Sequence, residues 1–279
     1  MPSNVIAVVD DLFFASKIRG TAEQTGVTVS FHPAGHVLGS AQILIEAAGT
    51  RAVVSGDYRD VADPTCQAFE LVPCDLFITE ATFGLPVFRH GDPAAEINKL
   101  LSSVALFPER AHLVGVYTLG KAQRVLALLR QAGYDRPVYL HGALDALTRY
   151  YVSRGIELGE VRLAKDADKA ELAGAIALCP RSALREVWSR RFPDPVKAFA
   201  SGWMRVRARA RQGGIELPLV ISDHADWDGL TSTIAGTGAG EIWVTHGQED
   251  ALVHWSTQRG LAARPLRIEG YGEEDDEAG

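Results

Sequence analysis

The chain has 279 residues, of which 47% are hydrophobic and 23% charged, and its formal net charge is −7. This length supports one large domain or two smaller ones, and no apolar run approaches the ~20 residues of a membrane-spanning helix. Three cysteines, neither closely paired nor even in number, exclude a disulfide framework and favour a reducing cytoplasm. The first residues lack the basic region and cleavage site of a signal peptide.

The charge is distributed unevenly along the chain. Residues 181–211 contain nine lysines and arginines against two acids, whereas residues 273–277 are all acidic. A basic stretch in an acidic chain predicts an anion-binding face. The acidic run, with almost nothing apolar to bury, predicts a disordered end.

Hydrophobic periodicity predicts that the first part of the chain is mainly β-structure. In chain order it indicates a strand, a helix and then four strands, at residues 4–9, 11–23, 27–31, 42–47, 51–55 and 75–79. The Ala-Gly-Thr turn at 48–50 joins two of these strands, so we expect them to form an antiparallel hairpin.

From about residue 92 the pattern changes to alternating helices and strands. The strands of this part are predicted at residues 112–117, 137–140 and 175–179, with amphipathic helices between them. Short apolar strands then return at residues 197–201, 219–222 and 241–245. Helices are predicted after Asp226 and over residues 249–259. The pattern therefore predicts a β-rich layered domain interrupted by a parallel α/β insertion.

Five residues that could carry chemistry lie where predicted strands end in loops. They are two carboxylates and three histidines, Asp57, Glu80, His36, His224 and His246. Neutral imidazole and carboxylate are ligands that suit Zn²⁺ or Mn²⁺, and a carboxylate can bridge two ions. A single residue of this kind is more often a hydrogen-bonded loop residue. Five of them at equivalent strand ends indicate a metal or catalytic site.

The segments around these residues resemble motifs of metallo-β-lactamase-fold nucleases. His-Pro-Ala-Gly-His-Val-Leu-Gly-Ser-Ala (32–41) and Ser-Gly-Asp-Tyr (55–58) resemble the third and fourth motifs of that fold. Residues 79–84 resemble motif A of the β-CASP branch, residues 221–226 resemble motif B, and residues 244–247 resemble motif C. Residues 116–123 resemble the start of the cap helix of that branch. Over residues 27–271 the chain is most similar to the bacterial ligase-associated DNA exonuclease family.

This resemblance implies a fold and a function. The fold is a metallo-β-lactamase-like layered αββα domain formed by residues 1–83 and 198–279, with a β-CASP-like α/β cap at 84–197. The implied activity is metal-dependent hydrolysis of DNA from its ends, with two Zn²⁺ or Mn²⁺ ions per site in the family. The implied partners are DNA, with RNA as an alternative substrate, an ATP-dependent DNA ligase and a helicase, and no membrane.

The resemblance also implies a role for each matching residue. His36 would bind the first metal ion, Asp57 would bridge both ions and His246 would bind the second. His224 would act as a general acid toward the leaving oxygen, and Glu80 would orient it. The two ions would activate water and absorb charge on the phosphoryl oxygens.

The chain departs from the family at its beginning. The family has a His-x-His-x-Asp-His run ahead of the third motif, whereas this chain has no histidine before His32. Residues 1–26 read instead as a graft-like strand and helix. Asp10 and Asp11 could replace the missing ligands, but helix-capping acids are the simpler interpretation. Three ligands suit one open Zn²⁺ site, so we expect one ion or none; the alternative is that the three are vestigial loop residues.

A second set of residues is predicted to contact nucleic acid. Four arginines, Arg205, Arg207, Arg209 and Arg211, alternate along a predicted helix, so that the first and third share a face and the second and fourth share another. Ser201-Gly202 suits close backbone approach to an anion, and Trp203 and Trp227 could stack on bases. A solvated helix and buried tryptophans are the plainer alternatives.

Three hypotheses follow for the whole chain. The first is a metal-dependent DNA exonuclease, impaired by its incomplete metal site. The second is a catalytically silent nucleic-acid-binding protein that keeps the cleft. The third is a remnant that does not fold, because loss of β-strands exposes a sheet edge.

Overall fold

The structure, a computed structural model, describes residues 26–192 and 194–266. The strand predicted at 4–9, the helix predicted at 11–23, Asp10, Asp11 and the acidic run lie outside the described residues. None of the described helices is long and apolar enough to cross a membrane.

The described residues form twelve strands and seven α-helices, joined by short 3₁₀ turns. In chain order they are β1 (Thr28–Pro33), β2 (Ala41–Ala47), β3 (Thr50–Val54), β4 (Leu76–Ala81), α1 (Pro93–Leu106), β5 (His112–Val116), α2 (Lys121–Gln131), β6 (Val138–Leu140), α3 (Asp145–Ser153), β7 (Val161–Leu163), α4 (Lys169–Leu172), β8 (Ile176–Pro180), β9 (Val196–Ala200), α5 (Arg207–Gly213), β10 (Leu217–Leu219), α6 (Trp227–Thr237), β11 (Glu241–Gly247), α7 (Glu249–Thr257) and β12 (Ala262–Pro265).

The first sheet has six strands in the order β1-β2-β3-β4-β11-β12. The predicted hairpin is confirmed, since β2 and β3 pair antiparallel and the turn residues Ala48 and Gly49 have φ values of 49° and 82°. The neighbouring pairs β3–β4, β4–β11 and β11–β12 are parallel. Alternate residues such as Phe77 and Ile242 are fully buried on one face, where they belong to one hydrophobic cluster with Leu230 of α6 and Leu252 of α7.

The second sheet also has six strands, in the order β10-β9-β5-β8-β6-β7, and all its pairs are parallel. One hydrophobic cluster combines its strands with α1, α2 and α3, and a second cluster includes Leu172, Leu184 and Phe192. The predicted α/β class, with a parallel unit inserted in a β-rich layered domain, is confirmed. The sheet matters for function because the carboxyl ends of parallel strands are where ligands bind in such folds.

The return from the inserted unit comes later in the chain than the sequence pattern indicates. The predicted division at residues 197 and 198 falls within β9, which pairs with β5 of the second sheet. Strand β10 at 217–219, which lies just before the predicted strand at 219–222, pairs with β9. A short apolar strand does not reveal which sheet it joins, because that depends on long-range pairing.

The helix predicted over the four arginines is shorter than expected. Gly202–Arg205 is a 3₁₀ turn, Val206 has an extended backbone, and α5 begins only at Arg207. Arg205 therefore lies outside α5, and the prediction that it shares a helix face with Arg209 is wrong. Arg207 and Arg211 both lie in α5 with the expected spacing.

Candidate metal centre and nucleic-acid cleft

His36 is held by a tight loop between β1 and β2. The loop uses left-handed backbone at Gly35 and Gly39, with φ values of 72° and 86°. A Cβ atom at Gly35 would lie 2.3 Å from the carbonyl oxygen of Arg59, so only glycine fits there. The backbone N–H groups of His36 and Val37 each donate to Ser40 Oγ at 3.1 Å. The sequence Gly-His-Val-Leu-Gly-Ser thus fixes the backbone position from which the His36 side chain extends.

The hydrogen bonding of His36 leaves one ring nitrogen free for a ligand. Its Nδ1 lies 3.0 Å from the carbonyl oxygen of Asp223, and because a carbonyl only accepts, Nδ1 carries the proton. Nε2 then presents its lone pair and lies 3.9 Å from Oδ2 of Asp57. That separation exceeds a hydrogen bond, yet it lets both atoms reach one cation at the usual ~2.0–2.2 Å. A ligating histidine with its other N–H on a carbonyl is typical of metal sites.

Asp57 follows β3 on a loop that brings it beside His36. Gly56 has a φ of 55°, and the Ser55 N–H donates to the carbonyl of Ile78 at 2.9 Å, which ties the loop to β4. The Asp57 side chain is 40% exposed. Its position is therefore set mainly by the backbone, and its carboxylate faces the cleft without a buried partner of its own.

His224 and Glu80 form a buried hydrogen-bonded pair. Nδ1 of His224 lies 2.9 Å and 3.1 Å from the two carboxylate oxygens of Glu80, which is 2% exposed and also accepts the N–H of Tyr58 at 2.8 Å. Burial alone would lower the pKa of His224, but the Glu80 carboxylate outweighs burial and raises that pKa to about 9. Burial would in turn raise the pKa of Glu80, whereas His224 lowers it. The imidazole is thus held protonated. His224 lines the cleft, and its Nε2 lies 3.9 Å from Oδ1 of Asp223.

A buried ionic network connects the inserted unit to this site; we call it the α2 clamp, formed by Lys121 and Arg124 of α2 with Asp223 and Asp63. Lys121 Nζ lies 2.7 Å from Asp223 Oδ1, and Arg124 Nη1 lies 3.1 Å from Asp63 Oδ2, with all four side chains at least nine-tenths buried. Arg124 also donates to the carbonyl of Ser222. Burial would raise the pKa of Asp223, but Lys121 holds it well below its usual range.

The α2 clamp is the main feature that sequence reasoning missed. Asp223 holds His36 through its carbonyl and Lys121 through its carboxylate, so the clamp fixes the loop from which His224 projects. Two features of the sequence could have indicated a buried ion pair. Lys121 lies in the segment that resembles the start of the cap helix, and charged residues interrupt the apolar stripe of that helix. Neither gives the partner, which lies 102 positions away.

His246 is placed by an irregularity in β11. The pairing of β11 with β4 shifts register between Thr245 and Gly247, and His246 has a left-handed φ of 56°. A bulge of this kind re-aims a side chain and is often found beside active sites. The His246 side chain is exposed. It lines the same cleft as His36 and Asp57, without joining a tight donor cluster.

Two groups of potential metal donors lie within the described residues. In each, three ligand atoms fall within 4.8 Å of one another: His36 with Asp223 and His224, and Asp57 with Glu80 and His224. Because Asp223 and Glu80 are already engaged by Lys121 and His224, the free donors are His36 Nε2 and Asp57. These two donors could share one small divalent cation. The predicted role of His246 as a further ligand stays a prediction, because His246 lines the cleft but belongs to neither group.

The predicted residues converge only in part. A cleft of about 730 Å³ is lined by His36, Asp57, Thr82, Phe83, Tyr117, Thr118, Leu119, Lys121, Ser201, Gly202, Trp203, Arg209, Asp223, His224, His246 and Gln248. Of the four predicted arginines, Arg209 lines the cleft, whereas Arg205, Arg207 and Arg211 are exposed elsewhere. Glu80 lies behind His224.

The predicted aromatic and small residues have mixed outcomes. Trp227 is buried in the first core, which agrees with the alternative of a buried tryptophan and leaves its ring unavailable for stacking on bases. Trp203 carries the Arg209 guanidinium over its ring at 4.1 Å and packs against Phe83. A Cβ at Gly202 would lie 2.4 Å from Phe83 Cζ, so this glycine is required by aromatic packing. Its predicted contact with an anion stays a prediction.

Comparisons with known proteins bear on this site. No protein-family model matches the chain. The chain is 27% identical over 84% of its length to a probable DNA ligase of Opitutus terrae, of which the match spans 23%. It is 34% identical over 45% of its length to cleavage and polyadenylation specificity factor subunit 3 of Dictyostelium discoideum, and 33% identical over 40% to endoribonuclease YSH1 of Kluyveromyces lactis.

The matched regions are a small part of those relatives. The chain spans less than a quarter of the length of each, with 16% and 15% for the two last named. A solved structure of a protein of unknown function from Enterococcus faecalis superimposes with a TM-score of 0.55 at 15% identity, covering 87% of this chain and 62% of that one. That likeness shows the fold alone. The predicted resemblance is confirmed: the chain is homologous to metallo-β-lactamase-fold nucleases of the β-CASP group.

Proposed function

We propose that this chain is a metal-dependent phosphodiesterase that processes the ends of DNA. The observation that carries the proposal is the convergence, in one cleft, of a free pair of metal donors and a protonated imidazole held by a buried carboxylate. A cation and a proton donor are the two components that phosphodiester hydrolysis needs on the attacking and leaving sides of phosphorus.

His36, Asp57 and His246 would hold the cation, which we propose to be a single Zn²⁺ or Mn²⁺. A bound divalent cation activates water near neutral pH and offsets charge on the phosphoryl oxygens. His36 is prepared for this role by its hydrogen bond to the Asp223 carbonyl, which fixes the tautomer. Asp57 adds a negative charge on the exposed side of the site.

His224 would deliver the proton to the leaving oxygen from Nε2. Its Nδ1–H stays on Glu80, so the ring keeps its orientation while Nε2 gains and loses a proton. Glu80 is then a positioning residue, because it touches His224 and is buried away from the cleft. Arg209 would contact a phosphate of the bound strand from the cleft wall.

DNA ends are the proposed substrate because of the relative named as a probable DNA ligase. An activity that trims ends beside an ATP-dependent ligase and a helicase, in a reducing cytoplasm, agrees with that name. Relatives named as endoribonucleases make RNA the alternative substrate to be tested. We also propose that turnover is several orders of magnitude below that of a relative with the His-x-His-x-Asp-His run, since each lost electrostatic stabiliser costs ~10²–10³ in rate.

A silent nucleic-acid-binding protein is the second candidate. It is favoured by the exposure of His246 and by its absence from both tight donor groups of the described residues. This candidate keeps the cleft and Arg209 but requires no cation.

The test is release of nucleotides from end-labelled DNA and RNA of the same sequence, with Mn²⁺ or Zn²⁺ added. We expect slow, metal-dependent release from DNA that Asp57→Ala abolishes. The matched control is Asp228→Ala, a carboxylate that is 62% exposed on α6 and outside the cleft lining. Binding of DNA with no release above the Asp57→Ala background would favour the silent protein instead.

A further inference from the structure

Two large apolar side chains are exposed at the cleft where a well-packed enzyme would normally bury them. Tyr117 is 44% exposed and Leu119 is 47% exposed, and both line the cleft. They lie in the loop between β5 and α2, at the carboxyl end of the central parallel strands. We propose that Tyr117, with Leu119 beside it, is the platform on which the unpaired terminal base of the substrate strand stacks.

The loop that carries Tyr117 is held by contacts with α2 and with the His36 loop. The Tyr117 carbonyl accepts the N–H of Ala122 in the first turn of α2. Lys121 Nζ lies 5.7 Å from the centre of the Tyr117 ring and is itself fixed by Asp223. Gly120 has a φ of 76°, and a Cβ there would lie 2.3 Å from a Val37 side-chain carbon, so the loop is packed against the His36 loop. The backbone that carries Tyr117 is therefore held in place, which limits the entropy lost when a base stacks on the ring.

The two other large aromatic side chains at the cleft are not available for stacking. Phe83 is only 2% exposed. Trp203 is covered by the Arg209 guanidinium and packs against Phe83 and Phe88. Arg209 instead presents a fixed positive charge in the same cleft, suited to a phosphate. The cleft thus separates an apolar surface for a base from a cationic surface for the backbone, the combination that single-stranded nucleic acids require.

The size of the cleft favours single-stranded over double-stranded DNA ends. A volume of about 730 Å³ falls in the range of pockets that enclose one small-molecule ligand, roughly 300–1,000 Å³. We therefore expect the cleft to take one terminal nucleotide and not a base pair. Because every base has a stackable face, we expect preference for unpaired ends with little sequence preference. This inference rests on the proposed function, since it concerns the same cleft.

The experiment uses the whole chain and DNA strands that carry 2-aminopurine at the 5′ or 3′ terminal position, with EDTA present to prevent hydrolysis. We expect binding to quench the fluorescence at one terminus. Tyr117→Ala should remove the quenching and weaken binding by roughly 5- to 150-fold, the loss of one base–aromatic stack. Tyr117→Phe should retain both effects. A blunt duplex of the same sequence should bind more weakly than the single strand.

The matched control is Tyr150→Ala, because Tyr150 is 39% exposed on α3 and does not line the cleft. It should change neither quenching nor affinity. If the unaltered chain binds DNA and Tyr117→Ala leaves quenching and affinity unchanged, the platform is wrong while the proposed function stands. If the unaltered chain binds no DNA under these conditions, the platform is wrong, and the nucleotide-release assay with added metal decides the proposed function separately.

Discussion

The two halves of the cleft differ in how firmly the fold holds them. The acid half, His224 with Glu80, is hydrogen-bonded twice, and its carboxylate is buried. The metal half, His36 with Asp57 and His246, has a half-exposed carboxylate and an exposed histidine on a bulge. The pair of His224 and Glu80 is therefore held by the chain itself, whereas in our proposal a cation would bring His36, Asp57 and His246 together. Proton donation and cation binding should accordingly respond to different substitutions.

Replacing His224 tests this separation with the largest expected effect. His224→Asn removes the proton donor, and we expect nucleotide release to fall by about 10²–10⁴. Cation content and DNA affinity should stay at the level of the unaltered chain, as measured by metal analysis and by titration of labelled DNA. Loss of the cation in this variant would mean that His224 is a ligand and that the two halves are not separate.

Removing one partner from the α2 clamp should be strongly destabilising, because the other charge would stay buried without its partner. Lys121→Met leaves the Asp223 carboxylate unpaired, and we expect the free energy of unfolding to drop by about 3–5 kcal/mol in urea titrations. The double variant Lys121→Met, Asp223→Asn should recover part of that loss, since it removes the orphaned charge. Arg149→Met, which breaks an exposed ion pair with Asp145, is the matched control and should cost less than about 1 kcal/mol.

These predictions rest on features that differ in how visible they are in the sequence. The placement of four of the five histidines and acids at or near strand ends could be predicted, because the apolar runs of β1, β3, β4 and β11 end beside them. The assignment of β9 and β10 to the second sheet could not, because β9 pairs with β5, more than 80 positions away, and β10 joins the sheet through β9.

Single side chains were harder to predict than strands. The burial of Trp227 follows from α6 packing on the first sheet, and the late start of α5 at Arg207 follows from the 3₁₀ turn that Ser201 caps. The first is a tertiary outcome that the local pattern does not contain, whereas the second rests on a local turn that the alternating arginines do not reveal. The same holds for Lys121, whose partner is set by how the inserted unit docks on the first sheet.

Because of His90, the free energy of unfolding should fall more steeply as the pH is lowered. Burial lowers its pKa to about 4, although Asp226 opposes the shift. Between pH 6.5 and 4 the unfolded chain gains a proton that the folded chain does not, so stability falls by about 2–3 kcal/mol as pH decreases. His112, whose pKa burial also lowers, acts in the same direction.

Urea unfolding of the metal-free chain at pH 7 and pH 4.5 measures this dependence. His90→Leu should flatten it by removing the titrating group. His254→Asn, a change of an exposed histidine on α7, should leave the slope as it is. An unchanged slope in His90→Leu would assign the acid sensitivity elsewhere.

The smallest effect is expected from replacing the arginines. It tests whether DNA binds in the cleft or on the basic surface outside it. Arg209→Glu should weaken DNA binding roughly tenfold on every sequence and reduce the salt dependence by about one counter-ion, because Arg209 lines the cleft. Arg205→Glu, outside the cleft, should do less. Equal effects of both changes would show that the basic surface, and not the cleft, binds DNA.

The most direct test of the central claim is the number of cations that the chain holds. After dialysis against trace Zn²⁺ or Mn²⁺, metal analysis should give at most about one ion per chain, and both His36→Ala and Asp57→Ala should remove it. Two tightly held ions per chain, or one ion that survives Asp57→Ala, would contradict a site built on His36 and Asp57.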